Sequence, residues 1–193
     1  MRAHTGLPTA AAPGPARHLA WAYPGLAEFE GRVASFLVQG HIRGERQILI
    51  SEDPKASRWP KRLLERGDLL LLSTAEAYGS TRVIDPTWTR AAFEATLAEA
   101  AALGYTGLCI AADNTALASR PEQLEAWTRW EDEAGTLMKA HPITALCAFD
   151  RTRTGPPTLE ALMRLHQNHC HPDLAPHQRR WSRLHRLRAP GTR

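Results

Sequence analysis

No apolar run in the 193-residue sequence approaches the ~20 residues that a helix needs to span a bilayer. Residues 1–17 carry an early arginine but no continuous apolar stretch behind it. They read as a flexible Ala/Pro/Gly leader rather than a secretory signal. Cysteine is scarce: Cys109, Cys147 and Cys170 are odd in number and far apart, and the first two sit inside apolar runs. No disulfide framework is indicated. Small buried thiols in a reducing, cytoplasmic setting are the plain expectation. The chain has no GxxxxGK[ST] loop, no CxxC or HExxH, and no serine or cysteine in a nucleophile motif. Ordinary ATP hydrolysis and zinc-hydrolase chemistry therefore have no sequence basis.

What is present is an ordinary globular composition, 43% hydrophobic, in a length that fits one domain with a sizeable core. The net charge of +4 is unevenly spread. Residues 171–193 hold six arginines against one aspartate, and residues 1–18 add two arginines and no acid, which leaves residues 19–170 at −3. The basic character belongs to the ends, which weakens any reading of the domain face as a nucleic-acid surface.

From His18 the pattern becomes regular. Residues 18–23 form a short apolar run closed by Pro24-Gly25, and Leu26, Phe29, Val33, Phe36 and Leu37 then recur at helical spacing. Residues 47–51 and 69–73 read as strands, with a helix from Pro54 to about Gly67 between them. Residues 82–84 are either a further strand or the approach to the next helix. Asp85-Pro86 is a strong helix start and Gly104 a natural stop. Residues 107–112 and 144–149 are two more buried-type strands. Ser119 with Glu122 suggests a capping box for a helix reaching about Lys139, and a last helix spans about Leu159 to His169. Alternating helices and continuous apolar strands predict an α/β fold of three layers: a mostly parallel sheet with helices on both faces. In such sheets ligands bind beyond the carboxyl ends of the strands.

The stretch 36–54, FLVQGHIRGERQILISEDP, resembles the segment that follows the phosphate-binding loop in KaiC-like ATPases, but here Ala22–Leu26 replaces that loop without lysine or a glycine run. The combination is similar to the MEDS sensory domain, a RecA/KaiC-like relative lacking the loop. The family's His–strand–Tyr start is matched by His18 and Tyr23, and its "G...GE" turn by Gly40, Gly44 and Glu45. A helical glutamate is matched by Glu131, the "C.[YF]D" strand end by Cys147, Phe149 and Asp150, and a final helical histidine by His166 or His169. His41 stands where the family usually has leucine. The resemblance covers residues 18–170, with 171–193 left as a basic, disordered tail. It implies a sensory role, since the family occurs in regulators of one-carbon and halogenated-hydrocarbon metabolism and beside bacterial signalling domains.

The candidate site residues follow. His18, Tyr23, Asp113, Glu131 and Asp150 are expected to line a ligand crevice over the strand ends, with Gly40, Gly44 and Glu45 shaping a structural turn. Glu131 shares a helix face with Leu124, Trp127, Ala134 and Met138. It is therefore either a half-exposed partner of an arginine or a desolvated acid of raised pKa. Asp150 and Asp113 can equally be capping turns. His166, His169, Cys170 and His171 are metal-capable, but four ligands from one short segment rarely make a site, and histidines also favour a helix C-terminus.

These readings add up to a non-enzymatic sensory or regulatory domain with no cofactor. It would bind a small organic ligand or a separate regulatory protein, of anti-sigma, kinase or transcription-factor type. Two alternatives stay open. One is a degenerate nucleotide-binding enzyme using Glu131 and Asp150 as acid and base. The other is nucleic-acid binding through Arg180, Arg183, Arg186 and Arg188 of the tail.

Overall fold

A computed structural model describes residues 17–54, 69–79, 83–119 and 121–166. Its elements are β1 (Arg17–Tyr23), α1 (Leu26–Ile42), β2 (Arg46–Ser51), β3 (Leu69–Ser73), α2 (Thr74–Tyr78), α3 (Pro86–Ala102), β4 (Leu108–Asp113), α4 (Thr115–Ala118), α5 (Pro121–Ala140), β5 (Ile143–Asp150) and α6 (Pro156–His166). The helix expected from Pro54 to Gly67 falls almost wholly outside the described residues, as do the leader and the tail. Val83 and Ile84 lead into α3 without joining the sheet.

The five described strands form one sheet in the order β1-β5-β4-β2-β3, and every pairing is parallel. This is why their sequences are continuous apolar runs: parallel strands are covered on both faces. One face carries Leu19, Leu49, Cys109, Ala111, Leu146 and Ala148 against Phe29, Val33, Phe36 and Leu37 of α1. The other carries Ile48, Ile110, Ala112, Ala145, Cys147 and Phe149 against α3, α5 and α6, through Phe93, Trp127, Trp130, Leu137 and Leu162. The result is the expected three-layer α/β arrangement. Among the described residues, no helix is long and apolar enough to cross a membrane.

The helix boundaries have local causes. Asp85 accepts from the backbone N–H groups of Thr87 and Trp88 at 2.9 and 3.3 Å, and Pro86 occupies the first helical position of α3. Ser73 and Glu76 form a reciprocal capping box at α2. Ser119, which the sequence suggested for that role, instead follows α4 and donates to the Ala116 carbonyl at 2.7 Å, while α5 begins at Pro121.

The turn between α1 and β2 explains its glycines. A Cβ on Gly40 would lie 2.3 Å from the Cys109 Cβ, so the close approach of α1 to β4 requires a residue without a side chain. Gly44 adopts φ 76°, a left-handed conformation that glycine tolerates. Glu45 takes a two-pronged ion pair from Arg43, at 2.9 and 2.6 Å, and fixes the turn's geometry.

A buried histidine–glutamate–cysteine cluster

The residues singled out by sequence divide into two groups on opposite faces of the sheet. His18 and Tyr23 are five residues apart on β1, an odd separation, so their side chains point to opposite faces. Along the strand they are about 16 Å apart, at roughly 3.3 Å per residue. A single crevice lined by His18, Tyr23, Glu131 and Asp150 is therefore not what the fold builds.

The first group lies at the carboxyl ends of the strands. The Tyr23 hydroxyl donates to Asp113 Oδ2 at 2.9 Å, and Asp113 Oδ1 accepts from the Thr115 N–H at 3.1 Å and its hydroxyl at 2.5 Å. Asp150 Oδ1 accepts from the Thr152 N–H at 2.8 Å and its hydroxyl at 2.6 Å, while the Asp150 N–H donates to Thr115 Oγ1 at 2.8 Å. Both aspartates thus cap the turns that follow their own strands, the commonplace use of Asp at such positions. Burial, then the neighbouring Asp113 charge, pushes the Tyr23 hydroxyl well above its usual pKa, so it stays a donor.

The second group is buried beneath α5 and α6. Parity places His18 of β1 and Cys147 of β5 on the sheet face those helices cover, and residues 18 and 145 are register partners. Glu131 sits mid-way along the apolar stripe of α5, between Trp127 and Ala134, and is only 4% exposed. His166, the last residue of α6, is fully buried because α6 packs back over β1. His18 Nε2 and His166 Nε2 each lie 3.1 Å from Glu131 Oε2. Cys147 Sγ is 3.4 Å from His18 Nε2, and the two imidazole rings meet edge-on with centroids 4.4 Å apart. One donor atom from each of the four residues falls within 4.8 Å of the others.

The electrostatics correct the expectation for Glu131. Among the described residues its ion-pair partners are two histidines and no arginine, and its pKa is lowered. Burial alone pushes the carboxyl up, but the facing His166 and His18 nitrogens more than reverse this and bring it to about 2. Burial opposes the charge on His166 too, and the Glu131 carboxylate raises its pKa regardless. The Tyr78 phenol, fully buried, is pushed up by desolvation and by its proximity to Cys147 and Glu131. Glu131 and Asp150 belong to different groups, so they do not form an acid–base pair.

The geometry of His166 narrows the chemistry. Its Nδ1 lies 2.8 Å from the Leu162 carbonyl, which can only accept, so Nδ1 carries a hydrogen. Among the described residues, its Nε2 and both Glu131 oxygens have no in-line hydrogen-bond partner despite the short contacts.

Beside the cluster is a cavity of about 30 Å³, lined in part by His18, Glu131 and Cys147 and by Tyr78, Phe93, Trp127 and Trp130. Trp130 stacks on Phe93 with centroids 5.6 Å apart, and Trp127 meets Tyr78 edge-on at 5.4 Å. The Trp127 indole N–H, also buried, has no hydrogen-bond partner among the described residues.

A protein-family model, the MEDS domain (methanogen/methylotroph, DcmR sensory domain), matches residues 17–167. The chain belongs to the MEDS family. The match spans β1 to the end of α6, so the sensory-domain assignment covers the whole described sheet and both residue groups. No curated protein and no solved structure matches this MEDS chain at a significant level.

Sequence reasoning placed Glu131, His18 and His166 among the candidates but assigned Cys147 to the core and passed over Tyr78 and Trp127. For Cys147 the missed signal was parity: it follows Ala145 by two on β5 and so shares a face with the partner of His18. His169, Cys170 and His171 lie outside the described residues. His166 finds its close partners in β1 and α5.

Proposed function

We propose that this MEDS domain is a non-enzymatic sensor whose ligand is a compact, weakly polar organic molecule taken up in the cavity beneath α5. The observation that carries this reading is the lining itself. Four aromatic side chains and several aliphatic ones line a space that Glu131 and His18 also border, and among the described residues the buried Trp127 N–H has no hydrogen-bond partner. Apolar walls with sparse, placed polar groups are the usual make-up of a small-molecule site. Size restricts the class. A cavity of about 30 Å³ exceeds the roughly 10–15 Å³ that admits one water but is far below the ~300 Å³ of a drug-sized site. Only a molecule of a few heavy atoms fits without moving the aromatic side chains. The strand-end crevice favoured from sequence has less support, because its carboxylates are already engaged in turns.

A ligand signals only through differential affinity for two states. Spreading Trp127 and Trp130 would displace α5 and, through it, α6, which closes the cluster with His166. The output then passes to a separate regulatory protein reading that helix layer.

Thermal unfolding of the full chain, treated with chelator, against a panel of compact organic compounds tests this. A ligand at 100 times its dissociation constant adds about 2.7 kcal/mol, which for a domain of this size is roughly a 5–10 °C rise. Ala112→Leu, which fills the cavity from β4, should abolish the rise. A rise abolished by Tyr23→Phe and kept in Ala112→Leu would move the ligand to the strand ends and refute the reading.

A further inference from the structure

We propose that His18, Glu131, Cys147 and His166 form a closed tetrahedral site for a divalent transition-metal ion, zinc by its donor set. The argument is geometric. For bonds of about 2.0–2.3 Å to nitrogen, oxygen and sulfur, the donors of a tetrahedral zinc site stand about 3.3–3.6 Å from one another. Three of the six separations here are 3.1, 3.1 and 3.4 Å, and the remaining three are no longer than 4.8 Å. The donors come from four different elements, β1, α5, β5 and α6, so the arrangement is a property of the tertiary fold and not of one sequence segment.

Two further observations point to a cation at the centre. Among the described residues, Glu131 Oε1, Glu131 Oε2 and His166 Nε2 are buried without a well-aligned hydrogen-bond partner, so the carboxylate needs a positive charge against it, from a protonated histidine or from a metal ion. The His166 ring is also oriented as metal ligands are: Nδ1–H donates to the Leu162 carbonyl, so that in the neutral ring the Nε2 lone pair faces the cluster. In that tautomer Nε2 and the Glu131 oxygen are two acceptors face to face; a proton on Nε2 resolves the conflict in the metal-free protein, and a metal ion between them does so when bound. Charge closes as well. A dication balances one carboxylate and one thiolate, the Cys147 proton leaving to solvent, with both imidazoles neutral, so no net charge is buried.

Sulfur and imidazole nitrogen select a borderline or soft ion over calcium or magnesium, and four protein donors leave no open position. The ion would therefore lock β1, β5, α5 and α6 together, its role structural. It makes no bond to the organic ligand proposed above, so either reading can fail without the other.

The test uses the full chain. Metal is removed with chelator, and the apo-protein is titrated with cobalt(II), a spectroscopic stand-in for zinc. The expected result is one cobalt per chain, with the intense visible bands of four-coordinate cobalt and a thiolate-to-metal charge-transfer band, all lost on adding zinc. Cys147→Ser should remove the charge-transfer band, and Cys109→Ser and Cys170→Ser should keep it. His166→Ala should weaken binding at least tenfold, with folding checked by circular dichroism. Wild-type protein that takes up no stoichiometric cobalt, or shows only the weak bands of six-coordinate cobalt, would overturn the proposal without reference to any variant. A charge-transfer band that survives Cys147→Ser would overturn it too, by placing the thiolate elsewhere.

Discussion

In metal-free protein the Glu131 carboxylate lies against two histidine nitrogens, and its removal should have a distinct pH signature. The perturbation is Glu131→Gln, nearly isosteric and uncharged at every pH. Glu131 has its pKa lowered from 4.5 to about 2 in the folded state. Its contribution is therefore fully present above about 4.5 and lost as pH falls towards 2. The shift of roughly 2.5 units, at about 1.4 kcal/mol per unit, corresponds to about 3 kcal/mol. That agrees with the 3–5 kcal/mol typical of breaking a buried charge pair from one side. His166 is shifted the other way, raised above 6.5, so its stabilisation is present below 6.5 and lost as pH rises through the raised value. The two shifts describe one interaction and are not summed. In the presence of chelator, the wild type should exceed Glu131→Gln by about 3 kcal/mol near pH 6, with the gap closing on both the acid and the alkaline side. Urea unfolding followed by tryptophan fluorescence reads it directly, because Trp127 and Trp130 line the adjoining cavity. Taking the difference between the two proteins cancels every other titrating group. A gap that is flat from pH 3 to 9, or a variant as stable as wild type at pH 6, would refute the assignment of a carboxylate held ionised by these histidines.

Three further outcomes are expected. Gly40→Ala drives a Cβ to within 2.3 Å of the Cys109 Cβ and should cost about 3 kcal/mol by overpacking; in denaturant titrations Cys109→Ala should not relieve it, whereas Cys109→Gly should cost less in the Gly40→Ala background than in wild type. Asp85→Ala removes the acceptor for the Thr87 and Trp88 N–H groups and should cost about 1 kcal/mol; Asp85→Asn should recover most of that in the same thermal melts. Tyr23→Phe deletes the 2.9 Å bond to Asp113 and should lower stability by about 1 kcal/mol, read as a shift in the denaturant midpoint.

The layer architecture was legible because parallel strands must be apolar on both faces, so residues 47–51, 69–73 and 144–149 announce themselves without any partner being known. Local chemistry was legible where one residue decides. The Asp85-Pro86 start and the glycines at 40 and 44 need only a cap geometry, a close approach and a positive φ. The capping boxes show where local chemistry stops. Ser73–Glu76 and Ser119–Glu122 present the same spacing, yet the serine of the second ends α4 and donates backward to Ala116. A serine that can either accept from the next helix or donate to the last is assigned by the path of the chain, which spacing does not encode.

The site was half legible for a related reason. Strand parity alone separates His18 from Tyr23, and Cys147 from Asp150, and so divides the expected crevice into a buried cluster and a rim of turn-capping acids. What no local rule supplies is that α6 returns across β1, the edge strand, and sets His166 against a glutamate thirty-five residues earlier in the sequence. The histidines following His166 drew attention to ligands close in sequence. Yet a four-donor site drawn from four elements needs the fold first, because each donor looks like an isolated core residue until β1 and β5 are neighbours. The same dependence makes the cluster a joint between helices: a perturbation that moves α5 relative to α6 changes the distance between Glu131 and His166. The polar centre thus borders the cavity in which the proposed ligand would sit, and its Glu131–His166 contact ties α5 to α6.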